Sequence, residues 1–525
     1  MGILTKVKVA VARRKLNSMD IIGTDSLEKL IHSRFLADFK KSQELRDMVG
    51  KDSLDEITAE DVNTYQLYKF RESMRYAMEN SHYYKKKYEA AGITPDDIKT
   101  MADISKVPFT DPDDLAENSM AFCAVSQGKV MRAFTTSGTT GNRKRVFFTQ
   151  NDVLNIVDSI AAAVKSVGMT KDDALQVMFP AVSAWDPGLM MDSACKLAGL
   201  NSLVSSTADV DEQIKNMKDN KTTYLIGLTS FIYRITMLAK DKYDLRSIGV
   251  KTIICSAEPL PEIMRKQMIE AWGCPVLAQY GMTEMGLATA IECAAYDGMH
   301  TSGAYFFVEA VDPVTGESKG YGESGELIWT SLVMEGTPLI RYRSRDISQI
   351  LPAPCNCGCF STVRRVAKIQ GRLDAQTKIG YGQKIFPALF DEVLLAVPGV
   401  LSYKLTLTHE GYKDKLNFVL EYKGDEEEGH RQVEAALMSL DEIKDALDND
   451  LIEIPEVSFI EAGSIEFVPK SKAIVDLREN YLKYGYNYSA LRVSQRYFHM
   501  LNSIWEESLG EPSYENIRSR GNVHP

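Results

Sequence analysis

Short apolar runs alternate with longer amphipathic stretches through the middle of the chain. The runs are rich in β-branched and aromatic residues and end at turn formers, which predicts buried strands over 175–179, 224–228, 252–255 and 276–279. Helical periodicity occupies the neighbouring segments 153–167, 189–198 and 261–272. This alternation predicts a layered α/β domain with mostly parallel sheets, whose ligands bind beyond the carboxyl ends of the strands.

The pattern differs on both sides of this core. Residues 1–90 are mostly helical in periodicity, and prolines interrupt the chain soon afterwards. Beyond Gly371, strand-like runs over 402–407, 416–422 and 456–459 surround a helical stretch over 432–446, and the acidic run 425–428 is typical of a solvated turn. We therefore predict a large multi-layer α/β domain over 1–371, a small mobile α+β domain over 372–486, and a tail over 487–525 that can form one amphipathic helix.

Length and charge narrow the class of protein. A chain of 525 residues is too long for one core. Its net charge of −11 argues against nucleic acid or an anionic membrane as a partner, and no apolar run approaches the length of a membrane span. The N-terminus lacks an apolar secretion core, and eight cysteines in so long a chain do not suggest a disulfide framework. We expect a cytoplasmic protein; the pattern leaves its oligomeric state, including a homodimer, open.

Residues 135–145 have the composition of an anion-binding loop. They hold five hydroxyl side chains and two glycines ahead of one amide and three cations. Backbone N–H groups at the glycines, hydroxyl donors and the charge of Lys144 can together bind a polyphosphate. The segment is not a P-loop, because Asn142 follows Gly141 where that motif has lysine. A polar surface loop is the alternative.

Four further segments carry candidate chemistry. Residues 257–259 follow a strand where a nucleotide base would lie, and residues 279–284 offer the Tyr280 ring for stacking, with Thr283 and Glu284 as oxygen ligands for Mg²⁺. Residues 341–346 place Asp346 among three arginines, either to bind ribose hydroxyls or as a surface ion-pair cluster. Residues 371–380 lie where the composition changes and suit an inter-domain hinge.

In this order the segments resemble the signature set of the acyl-adenylate-forming superfamily, and most closely the phenylacetate–CoA ligase family. Residues 80–84, 107–110, 292–300, 325–327 and 338–346 extend the resemblance, which covers about residues 60–480. The ordered set is far more specific than any one segment.

The resemblance implies roles for individual residues. The implied nucleotide site consists of Thr136, Ser137, Gly138, Thr139, Thr140, Gly141, Lys144, Ala257, Glu258, Pro259, Tyr280, Gly281, Asp346 and Arg372. Thr283 and Glu284 would meet the α-phosphate and Mg²⁺, and Asp374 would be the hinge about which the small domain rotates. Lys472 would be the catalytic lysine. Ser471 replaces the expected glycine before it, so Lys470 is a rival and two exposed lysines are the alternative.

The implied reaction is ATP-dependent activation of a carboxylic acid to an acyl-adenylate, followed by thioester formation with coenzyme A. A carrier-protein thiol, no thiol acceptor, or a non-catalytic nucleotide-binding homologue are the alternatives. The acid is expected to be aryl or arylacetic, with Phe134, Trp185 and Gly188 as pocket residues, although Trp185 suits a core position equally well.

The cysteines suggest a structural metal site. Cys355, Cys357 and Cys359 lie within five residues, and Cys293 and His300 lie upstream. Thiolates and imidazoles in sets of four are typical ligands of structural Zn²⁺, and Cys-X-Cys-Gly resembles a segment of many phenylacetate–CoA ligase relatives. Cys293, His300, Cys355 and Cys357 would form the site, with Cys359 as a substitute. Reduced thiols in a turn are the alternative.

Overall fold

The computed structural model describes residues 26–54, 56–135, 144–179, 187–355, 362–373, 377–380, 382–410, 413–465, 467–468 and 473–478. Several residues singled out from the sequence, and the predicted tail over 487–525, lie outside these ranges. These residues are Thr136, Ser137, Gly138, Thr139, Thr140, Gly141, Trp185, Cys357, Cys359, Asp374, Lys470 and Lys472.

Helices dominate the N-terminal part of the described chain, from Ser26 to Phe122. They are α1 (Ser26–Lys41), α2 (Gln43–Val49), α3 (Ala59–Asn80), α4 (His82–Ala91), α5 (Pro112–Glu117) and α6 (Ser119–Phe122). The longest, α3, begins with a capping box in which Thr58 and Asp61 each bond the other's backbone N–H. Its buried face, which includes Phe70 and Met74, packs into the main core.

The central layer is a parallel sheet between helices. A hairpin of β1 (Arg132–Thr135) and β2 (Arg145–Phe148) leads into α7 (Gln150–Ser166). The elements that follow are β3 (Ala174–Met178), α8 (Pro187–Leu197), β4 (Asn201–Val204), α9 (Val210–Asp219), β5 (Tyr224–Leu228), α10 (Thr229–Ala239), β6 (Thr252–Ser256), α11 (Glu262–Trp272) and β7 (Val276–Tyr280). Strands β4, β3, β5, β6 and β7 pair in parallel in that order. The predicted strands and mostly parallel sheet are confirmed.

The sheet continues beyond β7 with antiparallel strands. They are β8 (Ala290–Glu292), β9 (Met299–Thr301), β10 (Phe306–Val311), β11 (Ser324–Ser331), β12 (Tyr342–Leu351), β13 (Arg365–Val366) and β14 (Gly371–Arg372). Within the described residues, β3 to β14 form one sheet of twelve strands, in which β12 pairs with β11, β13 and β14. Strand β12 thereby links distant parts of the chain.

A smaller α+β unit follows. It contains β15 (Thr377–Ile379), β16 (Gln383–Ile385), α12 (Pro387–Leu394), β17 (Val400–Glu410), β18 (Lys413–Tyr422), α13 (Glu426–Leu437), α14 (Asp441–Asp448), β19 (Glu456–Glu461) and β20 (Ile474–Asp476). Its sheet has the order β19-β18-β17-β20. No helix among the described residues is long and apolar enough to cross a membrane.

Two local expectations for this unit are wrong. The segment 432–446 is divided between α13 and α14. From Leu437 onward its buried residues recur at every third position, and one straight α-helix cannot keep residues at that spacing on a single face. The acidic run is helical as well. Asp425 caps α13 by accepting from the Glu428 N–H at 2.9 Å, and acidic side chains are favourable in a first helical turn.

Candidate active site

Three neighbouring parallel strands end at the same edge of the sheet, and the residues that follow them form one side of the candidate site. Strand β5 leads directly into α10, β6 leads to residues 257–259, and β7 leads to Gly281. Because parallel strands place their carboxyl ends together, segments far apart in sequence meet here. A side chain at Gly281 would collide with the Leu287 carbonyl oxygen, 1.3 Å from the position of a Cβ atom. Only glycine fits this turn.

Glu258 and Ser230 form the first group of the site, at the start of α10. Its Oε2 accepts hydrogen bonds from the Ser230 backbone N–H at 2.9 Å and from the Ser230 hydroxyl at 2.6 Å. The preceding Ala257 has a φ of +64°, a strained conformation for a residue with a side chain, and Pro259 is exposed. Strained backbone of this kind concentrates at functional sites.

Tyr280, Asp346 and Arg372 form a second group at the same edge. The Tyr280 hydroxyl donates to Asp346 Oδ2 at 2.5 Å, and Arg372 Nε lies 3.5 Å from Asp346 Oδ1. The Tyr280 ring stacks on the buried ring of Trp329, with centroids 5.7 Å apart. Burial is the largest cause that raises the pKa of Tyr280 well above its usual range, and the charge of Asp346 adds to the rise. The phenol therefore keeps its proton and remains a hydrogen-bond donor.

Lys144, Glu284 and Tyr342 form a third group. Lys144 Nζ lies 2.7 Å from Glu284 Oε1 and donates to the Tyr342 hydroxyl at 3.1 Å. The Tyr342 hydroxyl donates to the same Glu284 oxygen at 2.9 Å. Glu284 is buried on the short helical turn Thr283–Met285, and Thr283 beside it is half-buried. A cation, a carboxylate and a phenol thus meet at one point.

Electrostatics keep Glu284 ionised. Burial acts to raise the pKa of its carboxyl, but the Lys144 charge and the hydrogen bonds from Lys144 and Tyr342 outweigh it and hold the pKa below its usual value. An ionised carboxylate is a hard oxygen ligand of the kind that Mg²⁺ prefers.

Strand β12 joins the second and third groups. Its residues are alternately buried, so Tyr342, Ser344 and Asp346 lie on one face. The arginines between them bind elsewhere: Arg343 pairs with Glu326, and Arg345 with Asp111 and Asp113. Arg341 is buried against Glu309, so it is not part of a surface cluster.

The two described pocket candidates are buried. Phe134 packs on Phe148 with ring centroids 4.8 Å apart, at the end of β1 that precedes residues 136–143. Gly188 lies in the first turn of α8.

Three of the predicted metal ligands come together. The ligand atoms of Cys293, His300 and Cys355 all lie within 4.8 Å of one another and are buried. Cys293 follows β8, His300 is on β9, and β9 pairs with β13 beyond Cys355. Two thiols and an imidazole at this spacing fit the ligand preference of Zn²⁺.

Sequence reasoning missed three residues that shape these groups: Tyr342, Ser230 and Trp329. A signal for Tyr342 was present, because it lies four residues before Asp346 in a strand and therefore on the same face. Ser230 and Trp329 carry no local signal, since their partners lie 28 and 49 residues away in sequence.

The chain matches two family models of known enzymes. The AMP-binding enzyme model matches residues 80–336, and the model of the AMP-binding enzyme C-terminal domain matches residues 382–478. The chain is 30% identical over 435 residues to a phenylacetate-coenzyme A ligase of Aromatoleum evansii, covering 81% of this chain and 96% of that protein. The chain belongs to the AMP-binding enzyme family.

Other similarities agree with this membership. A phenylacetate-coenzyme A ligase of Pseudomonas putida is 28% identical to this chain, and the match covers 71% of this chain and 85% of that protein. The crystal structure of 2-hydroxyisobutyryl-CoA ligase in the postadenylation state, in complex with 2-HIB-AMP, has a TM-score of 0.70 and 20% identity, and covers 87% of this chain and 97% of that one. The solved structure supports the fold assignment alone.

Proposed function

We propose that this protein is an AMP-forming acid–coenzyme A ligase. It activates a carboxylic acid with ATP to give an acyl-adenylate and pyrophosphate, and then transfers the acyl group to the thiol of coenzyme A. The observation that carries this proposal is the meeting of Lys144 and Glu284 beside Tyr280 and Asp346 in a chain of the AMP-binding enzyme family. Its similarity to phenylacetate-coenzyme A ligases over most of their length supports the acid–thiol chemistry.

The reaction needs charge control rather than a protein nucleophile. In the first half, a carboxylate oxygen attacks the α-phosphorus of ATP, and the bond to pyrophosphate breaks. In the second half, the thiol sulfur attacks the acyl carbonyl, AMP leaves with the bonding electrons, and the thiol proton is released. Positioning and electrostatic stabilisation account for most of such phosphoryl-group chemistry.

We assign the residues accordingly. Glu284, kept ionised, would hold Mg²⁺, which supplies positive charge beside the phosphates. Thr283 would add a hydroxyl near the α-phosphate, and Lys144 would turn from Glu284 to the departing pyrophosphate. Asp346 and Arg372 would hold the ribose side of the nucleotide, with Glu258 and the Tyr280 ring beside the adenine.

We propose an aryl or arylacetic acid as the substrate. The similarity to phenylacetate-coenzyme A ligases supports this class. The pocket would involve Phe134 and Gly188, with Trp185 outside the described residues.

A pyrophosphate-release screen tests the function. Purified protein is given ATP and Mg²⁺ with aryl, arylacetic or aliphatic acids, each with and without coenzyme A. We expect acid-dependent pyrophosphate release, and an acyl-CoA thioester only when coenzyme A is present. Release without a thioester would favour a carrier-protein thiol or no thiol acceptor, and no release with any acid would favour a nucleotide-binding homologue.

The catalytic lysine has a matched pair of variants. Lys472→Ala should nearly abolish acid-dependent adenylation, whereas Lys470→Ala should retain it, since we assign Lys472 to the oxygens of the reacting centre. ATP–pyrophosphate exchange measures this step. Exchange near the wild-type rate in Lys472→Ala, with loss in Lys470→Ala, would transfer the role to Lys470.

We also propose a structural Zn²⁺ held by Cys293, His300 and Cys355, with Cys357 as the fourth ligand. Elemental analysis should find close to one zinc per chain, and a strong chelator should lower Tm because metal binding is coupled to folding. Cys293→Ser should lose the metal, while Cys123→Ser, outside the cluster, should keep it. A zinc content below about a tenth per chain would refute the site.

A further inference from the structure

Side chains, as well as the sheet, join the carboxyl ends of β6 and β7. Ser256, the last residue of β6, is the register partner of Gln279 on β7, and both side chains are buried. Register partners on neighbouring strands lie side by side, and the Ser256 hydroxyl donates to the amide oxygen of Gln279. This hydrogen bond connects the strand that leads to residues 257–259 with the strand that leads to Glu284.

The amide nitrogen of Gln279 binds two carbonyl oxygens beyond this point. It donates to the Tyr280 carbonyl oxygen at 2.7 Å and to the Leu287 carbonyl oxygen at 3.0 Å. Carbonyl oxygens only accept, so a single orientation of the amide satisfies every partner, with its nitrogen toward the carbonyls and its oxygen toward Ser256. A buried polar network that is satisfied in this way specifies one local geometry.

The Leu287 carbonyl closes the turn that carries Glu284, residues 281–288. It points at Gly281, where a Cβ atom would lie 1.3 Å from the carbonyl oxygen. The Leu287 N–H donates to the Met282 carbonyl oxygen at 3.1 Å, so the turn is folded back on itself. The amide reaches across this turn from the preceding strand. The position of Leu287 therefore sets the position of the residues between the two ends.

The amide also supports strained backbone on two sides of the candidate site. Leu287 has a φ of +82°, and Ala257, which follows Ser256, has a φ of +64°. Residues with a side chain adopt such conformations at a cost, and the conformations persist only where the surroundings hold them. Gln279 bonds Leu287 directly and reaches the residue before Ala257. One side chain thus holds both the metal side and the base side of the site.

The two sides differ in their other supports. On the base side, the Ser230 hydroxyl and N–H fix Glu258 without help from the amide. On the metal side, the Ser159 hydroxyl of α7 donates to the Ala288 carbonyl oxygen at 2.7 Å, which anchors only the end of the turn. Loss of the amide should therefore relax the turn around Glu284 more than the base side.

We propose that Gln279 is a positioning residue, which holds the turn 281–288 in the geometry that binds the metal-bound phosphates of ATP and keeps it in register with residues 257–259. This inference rests on the proposed function. Gln279 acts through Leu287 and Ser256 rather than by contact with the nucleotide. Loss of its amide weakens the part of ATP binding that depends on Mg²⁺ and spares the part that the base side supports alone.

Calorimetric titration with ATP, once in Mg²⁺ and once in EDTA, tests the proposal. Gln279→Met keeps the length of the side chain and removes its hydrogen-bonding groups. The dissociation constant in Mg²⁺ should rise about tenfold, because a buried carbonyl loses its donor, and the constant in EDTA should stay within about twofold of wild type. The ratio of the two constants is the readout, since a partly unfolded sample would lower the number of binding sites and leave the ratio unchanged.

Ser256→Ala provides a second, milder variant. It removes only the hydroxyl that orients the amide, so the ratio should change about threefold in the same direction. In the double variant, Ser256→Ala should add nothing to the loss caused by Gln279→Met, because the hydroxyl acts through the amide. Ser256→Ala carries the test by itself if Gln279→Met does not fold.

Gln176 on β3 of the same sheet offers a matched control. Its side chain is buried, its Nε2 donates to Gln213 Oε1 at 2.6 Å, and its oxygen accepts from the Thr222 hydroxyl at 3.3 Å. Gln176→Met should lower Tm as Gln279→Met does, because each removes a satisfied buried amide. The ratio should not change, since these partners do not lead to the turn around Glu284.

Each outcome has a distinct meaning. Equal losses of affinity in Mg²⁺ and in EDTA, an unchanged ratio, or additive effects of Ser256→Ala and Gln279→Met would overturn the proposal. A changed ratio in Gln176→Met would overturn it as well, because any damage to the sheet would then suffice. Wild-type protein that binds ATP but releases no pyrophosphate with any acid would refute the proposed function, and the ratio would still test the role of Gln279. Wild-type protein that binds no ATP would refute both.

Discussion

Glu284 beside the candidate nucleotide site and Asp391 at the domain interface are two carboxylates with opposite electrostatics. Glu284 is the more deeply buried, yet its pKa is held below the usual value, with Lys144 opposing the effect of burial. Asp391 is half-buried, and burial raises its pKa to about 7, with Glu392 and Glu258 adding to the rise and a hydrogen bond from Tyr403 opposing it. Burial acts to raise the pKa of both carboxyls, and at Glu284 the charge of Lys144 reverses its effect.

The difference separates two uses of a buried acid. An acid paired with a cation stays charged and can accept a metal ion in exchange for that cation. An acid whose pKa burial raises to about 7 changes charge near neutral pH, and Asp391 does so where the small unit meets the large domain. Four substitutions test this contrast, in order of decreasing effect.

Glu284→Gln removes the charge that defines the first region. We expect acid-dependent pyrophosphate release to fall by about 10² or more, as when a charged group at a reacting centre is lost. Steady-state kinetics over a range of Mg²⁺ concentrations measures the change. Glu317→Gln, an exposed residue, is the control, and activity within about threefold of wild type in Glu284→Gln would contradict the assignment.

Lys144→Met should make Glu284 behave like Asp391. With the cation gone, burial raises the pKa of Glu284, so the acid limb of the pH–rate profile should move to higher pH and the rate at pH 7 should fall roughly tenfold to a hundredfold. Lys144→Arg keeps the charge and should retain the original acid limb. An unshifted limb in Lys144→Met would show that another group controls it.

Tyr342→Phe removes one hydrogen bond to Glu284 and leaves the ion pair. The loss of about 1 kcal/mol predicts a roughly fivefold lower rate and a smaller shift of the acid limb than in Lys144→Met. Tyr321→Phe, at an exposed position, is the control. A loss as large as that of Lys144→Met would mean that Tyr342 touches the substrate itself.

Asp391→Asn should change stability rather than chemistry. Because the pKa of Asp391 is near 7 in the folded protein and about 3.8 when unfolded, the folded state binds the proton more tightly. The free energy of unfolding therefore falls as pH rises between these values, by less than about 1.4 kcal/mol per pH unit because the side chain keeps some solvent contact.

Thermal unfolding of wild type and Asp391→Asn from pH 5 to pH 8 measures this effect. The Tm of the variant should exceed that of wild type by a few degrees at pH 8 and approach it toward pH 5. A Tm difference independent of pH would show that Asp391 does not titrate in this range.

Much of the large domain followed from local pattern. The strands at 224–228 and 276–280 are short apolar runs bounded by turn formers, a pattern typical of buried strands. The order of the segments also indicated the family, because each segment can be recognised from the composition of a few consecutive residues. The hairpin flanking 136–143 and the face shared by Tyr342 and Asp346 are local in the same sense.

The contacts that give these residues their properties were decided by tertiary structure alone. Lys144 and Glu284 lie 140 residues apart, and only the path of the sheet brings them to 2.7 Å. The hydrogen bond that the Glu392 carboxylate accepts from the Glu262 N–H, at the N-terminus of α11, cannot be predicted from the sequence either. The sequence shows only that Pro261, at the N-cap of α11, has no side-chain hydrogen bond to offer. Periodicity and turn chemistry act over a few residues and can be read along the chain. Strand order and domain packing depend on the whole chain at once, so the charge states of Glu284 and Asp391 emerge only from the fold.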